Sequence, residues 1–248
     1  MKEKNFSEKK FKTLFGIEKK EISHKIIISP FFNNKIFKEK LEEPKNFKGL
    51  LFYGINGMHK GEKISYINTG IGQEFVVDCV LGLANKKDCK IIFLGAVGAV
   101  KDLSFGECVY IEKAFFDITY YKKFGIGIND ASLIFKPDLN FADLSLRLAQ
   151  RKGINLKNVS LISLHSLWDQ NEDLIKNIKE KNIQTIDLEC ALFYAAAEKS
   201  QIKSIALCYV SDLILSRPFW QKFSPDERKK IQKCTACLTE LALATLIS

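Results

Sequence analysis

Short apolar runs alternate with amphipathic segments along most of the chain, and this alternation predicts an α/β fold. Strands are predicted at residues 24–29, 50–54, 64–69, 90–94, 108–113, 115–120, 159–164, 185–186 and 205–210. Helices are predicted at residues 75–84, 142–152, 172–181, 189–200 and 225–246. Because the strands between 108 and 120 follow one another without a helix, the pattern predicts a central mixed β-sheet flanked by helices.

The first 23 residues do not share this alternation, since they are polar and rich in lysine. They are predicted to form an N-terminal arm or a short surface helix. Residues 24–248 contain no linker, repeat or low-complexity stretch, so they are predicted to form one domain with a single large core.

The net charge of +9 raises the question of nucleic-acid binding. Only four of the 38 basic residues are arginines, and the lysines are spread along the whole chain. Proteins that bind nucleic acid usually concentrate both on one element, so a lysine-rich solvated surface is the favoured interpretation. No nucleic-acid partner is expected.

The other compositional features predict a cytoplasmic protein without a membrane segment. The longest apolar run, residues 91–100, is too short to cross a bilayer, and the polar N-terminus lacks a secretory signal. The seven cysteines lie mostly in apolar strings, which is typical of buried thiols in a reducing compartment. The spacing of Cys234 and Cys237 leaves a zinc or redox role open, but no metal or cofactor is predicted.

Acidic residues follow two of the predicted strands. Asp187, Leu188 and Glu189 connect a short strand to a helix, and Ser211 and Asp212 follow an apolar strand. Ligands of open α/β sheets bind beyond such strand ends, although each aspartate could also simply cap a helix. Gly95 and Gly98 likewise follow the strand at 90–94, where they are predicted to interrupt it or to form a tight turn.

The order and spacing of these segments resemble one family. The text TGIG at 69–72, GAVGA at 95–99, IDLE at 186–189 and SD at 211–212 resembles the nucleoside phosphorylase and nucleosidase superfamily. That family includes purine nucleoside phosphorylase, uridine phosphorylase and methylthioadenosine nucleosidase. The resemblance implies a single α/β domain and a homo-oligomer (a dimer, trimer or hexamer) in which neighbouring chains complete each active site.

The resemblance also implies roles for individual residues. Glu189 would hydrogen-bond the ribose hydroxyls, and Asp212 would face the base and act as a general acid at N7. The pair Ser211-Asp212 favours purine over pyrimidine nucleosides. The remaining nucleoside contacts would come from a second group of positions, which are Asp187, Leu188, Gly95, Ala96 and either Leu167 or Trp168.

The expected phosphate site departs from the phosphorylase pattern. Phe31 and Lys35 stand where the family has glycine and arginine, and Phe93 and Ala96 replace an arginine and a serine. Lys48 falls where hexameric members place an arginine that reaches the neighbouring subunit. Lysine is a point charge without the bidentate fork of arginine, so Lys35 and Lys48 predict only a weak orthophosphate site.

These departures leave the nucleophile open. Hydrolysis of a purine nucleoside in purine salvage is slightly favoured, although Asn33 stands near the position of the glutamate that the nucleosidases use as a base. The alternatives are a phosphorylase with a lysine-based phosphate site and a nucleoside-binding protein that has lost catalysis.

Overall fold

The computed structural model describes residues 2–116 and 133–248 of the protein. Within these ranges the helices are α1 (Lys2–Phe15), α2 (Asn34–Lys40), α3 (Gln73–Leu83), α4 (Leu139–Arg151), α5 (Glu172–Glu180), α6 (Cys190–Lys199) and α7 (Pro225–Ile247). Two short 3-10 helices cover Lys19–Glu21 and Leu167–Asp169. The strands are β1 (Lys25–Ser29), β2 (Glu42–Lys48), β3 (Tyr53–His59), β4 (Glu62–Asn68), β5 (Lys90–Ala99), β6 (Cys108–Phe116), β7 (Ile134–Phe135), β8 (Leu156–Ser163), β9 (Thr185–Asp187) and β10 (Lys203–Leu213).

The strands form one mixed sheet, as the sequence predicted. Strand β5 lies at its centre, where it pairs in parallel with β1 over residues 90–93 and with β10 along its whole length. Its last two residues pair with β9 in antiparallel orientation. On one side of β5, successive pairings run through β10, β6, β8 and β9 and back to β5, so these strands form a closed ring. On the other side, the sheet continues through β1, β4 and β3 and ends at the edge strand β2.

Buried apolar side chains cover both faces of this sheet. One cluster packs α1, α3 and α6 against it, and the other packs α2, α4 and α7 against the opposite face. The described part of the chain is therefore a single α/β domain with helices on either side of a mixed sheet.

The N-terminal segment contributes to the first of these clusters. Residues 2–15 form α1, and its Phe11 and Phe15 rings are buried, stacked on each other with centroids 4.1 Å apart. Phe15 also packs on Phe52, and both phenylalanines of α1 lie beside Gly82 of α3. The helix is therefore anchored to the domain through one apolar edge.

The expected interruption at Gly95 is wrong, because β5 continues without a break to Ala99. A Cβ atom at Gly95 would lie 2.4 Å from the Phe93 ring, and one at Gly98 would lie 2.5 Å from Ile214. The two glycines therefore permit close packing within a strand and do not form a turn.

Other strand predictions also need correction. Residues 50–52 belong to a turn closed by the Gly49 N–H donating to the Phe52 carbonyl, and the strand begins only at Tyr53. Strand β2 was missed because its sequence is polar and contains Pro44, which is compatible with its place at the sheet edge. The predicted strands at 108–113 and 115–120 are one strand up to Phe116, and residues 117–120 lie outside the described ranges.

None of the helices in the described ranges is both long enough and apolar enough to cross a bilayer.

Candidate active site

A cavity of about 240 Å³ opens where β5, β9 and β10 end. Strand β5 supplies Ala96 and Gly98 to its wall, and β10 supplies Tyr209, Ser211 and Asp212. A further wall consists of the segment from Ile186 to Glu189, and Phe31, Ile71, Leu167, Gln170 and Phe219 complete the lining. We call this space the nucleoside-site cavity, after the residues that the sequence analysis selected.

Asp212 is a buried carboxyl group at the end of β10, with only 4% of its surface exposed. It does not cap a helix, since it lies within the strand, next to an irregularity in the pairing with β5. The Ser211 hydroxyl donates to its Oδ1 at 2.6 Å and also contacts the Val97 carbonyl. Burial raises the pKa of Asp212 by more than the Ser211 hydrogen bond and the charge of Arg217 lower it.

Glu189 lies on the other wall, at the start of α6, and is 5% exposed. The backbone N–H of Gly72 donates to its Oε1 at 2.8 Å. Gly72 has φ +115°, a conformation that glycine adopts readily and other residues rarely do. Burial, together with the neighbouring Asp187, raises the pKa of Glu189 to about 8.

Asp187 has a structural role in addition to its place in the wall. Its Oδ2 accepts the N–H of Cys190 at 2.9 Å, and its Oδ1 accepts the Ser163 hydroxyl at 2.5 Å. These contacts cap the first turn of α6, which is the helix-cap interpretation that the sequence left open. Burial raises the pKa of Asp187 as well.

The cavity brings together seven of the positions selected from the sequence, which are Ala96, Leu167, Asp187, Leu188, Glu189, Ser211 and Asp212. Two others lie close by. Gly95 is buried under the Phe93 ring within β5, and Trp168, 95% exposed, borders an adjoining cleft.

The lysines selected as an anion site lie elsewhere. Lys35 is in the first turn of α2, where its exposed side chain is 3.9 Å from Glu39, and Lys48 is exposed at the end of edge strand β2. Neither residue lines the nucleoside-site cavity. Phe93, at the expected arginine position, is buried with its ring 5.4 Å from that of Phe193.

Sequence reasoning missed several contributors. Tyr209 lines the cavity but belongs to no motif, and Phe31 was noted only as a replacement for glycine. The buried amide of Gln73 contacts Nδ1 of His165, so it joins the start of α3 to the segment after β8. Position after a strand end could have selected His165, but its pairing with Gln73 is a long-range contact that a single sequence does not reveal.

Within the described ranges, no group of three or more histidine, cysteine, aspartate and glutamate side chains is placed to hold a metal ion.

Comparison with known proteins places the chain in a family. The sequence profile of the phosphorylase superfamily matches residues 29–242. A DeoD-type purine nucleoside phosphorylase of Oceanobacillus iheyensis is 25% identical over 238 residues, covering 94% of this chain and 97% of that protein. One from Histophilus somni (strain 129Pt) is 26% identical over 198 residues, covering 78% of this chain and 79% of that protein.

Solved structures agree on the fold. The uridine phosphorylase of Vibrio fischeri superimposes with a TM-score of 0.77 at 17% identity, covering 93% of this chain and 95% of that one. The Campylobacter jejuni 5′-methylthioadenosine/S-adenosyl homocysteine nucleosidase gives a TM-score of 0.73 at 16% identity, covering 89% and 96%. The chain therefore belongs to the phosphorylase superfamily, whose members are nucleoside phosphorylases and nucleosidases that cleave N-glycosidic bonds.

Proposed function

We propose that the protein cleaves the N-glycosidic bond of a purine nucleoside and that water is the nucleophile. One observation carries this proposal. The carboxyl group of Asp212 is buried, and burial raises its pKa. A carboxyl group with a raised pKa keeps its proton closer to neutral pH, as a general acid requires. The purine preference is supported by the pair Ser211-Asp212 and by the purine nucleoside phosphorylases among the relatives.

At the base end, Asp212 donates its proton to N7 of the purine. The electron pair of the bond between the sugar C1′ and N9 then moves to the base, which leaves as a neutral purine. The Ser211 hydroxyl donates to Asp212 Oδ1, so it fixes the carboxyl group and stabilises the carboxylate formed by this transfer.

At the sugar end, Glu189 accepts hydrogen bonds from the ribose hydroxyls. The Gly72 N–H holds one carboxylate oxygen at 2.8 Å, which leaves the second oxygen to face the sugar. Glu189, with a pKa of about 8, is only partly ionised at neutral pH, and the positive charge that develops on the sugar ring favours its carboxylate form. The buried carboxylate then stabilises that charge. Water then adds to C1′, releases a proton to solvent and yields the free sugar.

Water is favoured over phosphate because of the side chains that line the nucleoside-site cavity. The described residues that line the cavity include no lysine or arginine, and Phe31 occupies the position of a family glycine. A phosphate ion would need charge-assisted donors there. The exposed Lys35 and Lys48 do not supply them within one chain.

Substitution of Asp212 tests the assignment. In Asp212→Asn we expect the rate of base release to fall by a factor on the order of 10²–10⁴, because an amide cannot donate the proton. Asp143→Asn is a matched control, since Asp143 is an exposed aspartate of α4 that pairs with Arg147. An unchanged rate in Asp212→Asn would remove the basis of the proposal.

The nucleophile is tested by base release from inosine, adenosine and 5′-methylthioadenosine, with and without phosphate, followed by chromatography. Free sugar at equal rates under both conditions is the expected result. Ribose 1-phosphate formed only with phosphate would instead make the protein a phosphorylase, as the names of its relatives suggest. Tight binding of all three nucleosides without any product would favour a nucleoside-binding protein.

A further inference from the structure

A second, larger space adjoins the nucleoside-site cavity. We call it the aromatic cleft; it has a volume of about 530 Å³ and is lined by Leu167, Trp168, Gln170, Phe219 and Trp220. Trp168 is 95% exposed and Trp220 is 69% exposed. Large aromatic surfaces left open to water usually mark a binding site.

The aromatic cleft is continuous with the nucleoside-site cavity. Leu167, Gln170 and Phe219 line both spaces. Ligand pockets usually have volumes of roughly 300–1,000 Å³, a range that the cavity of about 240 Å³ reaches only together with the cleft. A ligand larger than an unsubstituted nucleoside therefore fits the combined space better than a smaller one.

One wall of the cleft is held in place by Arg217. Its guanidinium lies against the rings of Phe105 and Phe223, 5.1 and 4.6 Å from their centroids, and forms an ion pair with Glu227. Its backbone N–H donates to the Leu213 carbonyl at 2.8 Å. These contacts fold the segment after Asp212 back on itself, so Phe219 and Trp220 are positioned before a ligand binds.

The position of the cleft selects one side of the substrate. Phe219 and Trp220 belong to the segment that leaves Asp212, the residue assigned to N7 of the base. In a purine, position 6 lies on the same edge as N7, so a group attached there projects past Asp212. By contrast, Ile71 and Glu189, on the wall assigned to the sugar, do not line the cleft.

From this geometry we propose that the preferred substrates are purine nucleosides with an apolar, preferably aromatic or branched, group on the nitrogen at position 6. The group lies in the aromatic cleft, between the two tryptophans. The described lining of the cleft contains no charged side chain, which favours a neutral apolar group. This inference rests on the proposed function, because it takes the orientation of the base from Asp212.

The test compares adenosine with N6-benzyladenosine, by kcat/KM for base release and by calorimetric binding. We expect N6-benzyladenosine to be favoured about tenfold by both measures, which corresponds to one aromatic contact. In the double variant Trp168→Ala/Trp220→Ala the preference should disappear, so that the two nucleosides give equal kcat/KM and equal binding constants. Leu139→Ala is the control, because Leu139 is 73% exposed and follows Asp138, whose N–H donates to Ser204 at the far end of β10.

Other outcomes overturn the proposal in separable ways. Equal binding and turnover of the two nucleosides by the wild type would reject the aromatic cleft as a subsite while leaving the proposed function intact. A tryptophan-dependent preference for 5′-benzylthioadenosine over 5′-methylthioadenosine, without a preference for N6-benzyladenosine, would assign the cleft to the sugar. A change of oligomeric state in the double variant, with unchanged preference, would make the cleft a subunit contact. Absence of turnover with all substrates would count against the proposed function, and binding would still decide the subsite.

Discussion

The base and sugar walls of the candidate site differ sharply from the side where a second substrate would enter. The first two carry buried carboxyl groups, Asp212 and Glu189, each held by a donor from elsewhere in the chain or from its neighbour. The side where a second substrate would enter has the apolar Phe31, and the exposed Lys35 and Lys48 do not line the cavity. Burial makes the charge of a side chain depend strongly on its surroundings, whereas exposure makes it nearly independent of them. Substitutions on the two sides should therefore differ in size by orders of magnitude.

The largest effect after Asp212 is expected at Glu189. Glu189→Gln keeps the shape of the side chain but removes the charge that stabilises the sugar cation, so kcat/KM should fall by a factor on the order of 10². Glu198→Gln, on the exposed face of the same helix, is the control and should have no effect. Steady-state base release measures both variants, and similar activities for the two would contradict the proposed role of Glu189.

Gly98→Ala should have an intermediate effect. The added Cβ would lie 2.5 Å from Ile214 Cδ1 and 3.1 Å from Asp212 Oδ2, so both side chains must move. We expect a loss of about 1–3 kcal/mol in the free energy of unfolding and a clear loss of activity. If the loss of activity acts through Asp212, it should disappear in the Asp212→Asn background, and additive effects would contradict that explanation.

The buried carboxyl groups also predict how stability depends on pH. The pKa of Glu189 is about 8 in the folded protein, above its ordinary value of 4.5, so between these values the folded state binds more protons than the unfolded state. The free energy of unfolding should therefore fall as pH rises through this window, by up to about 1.4 kcal/mol per pH unit for this group. Asp187 and Asp212, whose pKa values are also raised, act in the same direction.

Urea unfolding from pH 4.5 to 8 measures this dependence in the wild type and in Glu189→Gln. The difference between the two curves isolates Glu189, and it should shrink toward low pH. A constant difference would mean that Glu189 does not titrate between these pH values.

The smallest effect is expected at Lys35. Its side chain is 79% exposed and lies 3.9 Å from Glu39, so Lys35→Ala should change kcat/KM by less than about twofold. Lys38→Ala, on the same short helix, is the control. Initial rates over a range of phosphate concentrations provide the measurement. A loss of activity in Lys35→Ala but not in Lys38→Ala, seen only with phosphate present, would support Lys35 as part of a phosphate site.

The fold class was accessible from the sequence because strands and helices alternate. Each change from strand to helix alters the spacing at which apolar residues recur along the chain. Gly95 and Gly98 show where such reasoning fails. A glycine at the end of an apolar run has the same local pattern whether it forms a turn or admits a neighbour's side chain. Only the contacts with Phe93 and Ile214 distinguish the two.

The candidate site divides in a similar way. Asp187, Glu189 and Asp212 were accessible because they lie near predicted strand ends, where an open α/β sheet binds its ligands, and because their order and spacing resemble one family. Tyr209 lines the cavity without belonging to a motif, and the contact between Gln73 and His165 spans 92 residues, so neither leaves a local pattern. Nor does the sequence indicate burial, which is what changes the pKa of Asp212.

The pairing of β5 with β10 has a consequence for how the chain is made. Strand β5 ends at Ala99, but its full-length partner begins only at Lys203, so more than a hundred residues must be synthesised before the centre of the sheet is complete. Until then the nascent chain carries an apolar strand with an open edge, a state prone to misassembly. Because Asp212 lies on the strand that closes this edge, a chain too short to fold also lacks its proposed acid. We therefore expect a translation product that ends before Lys203 to be inactive as well as unfolded.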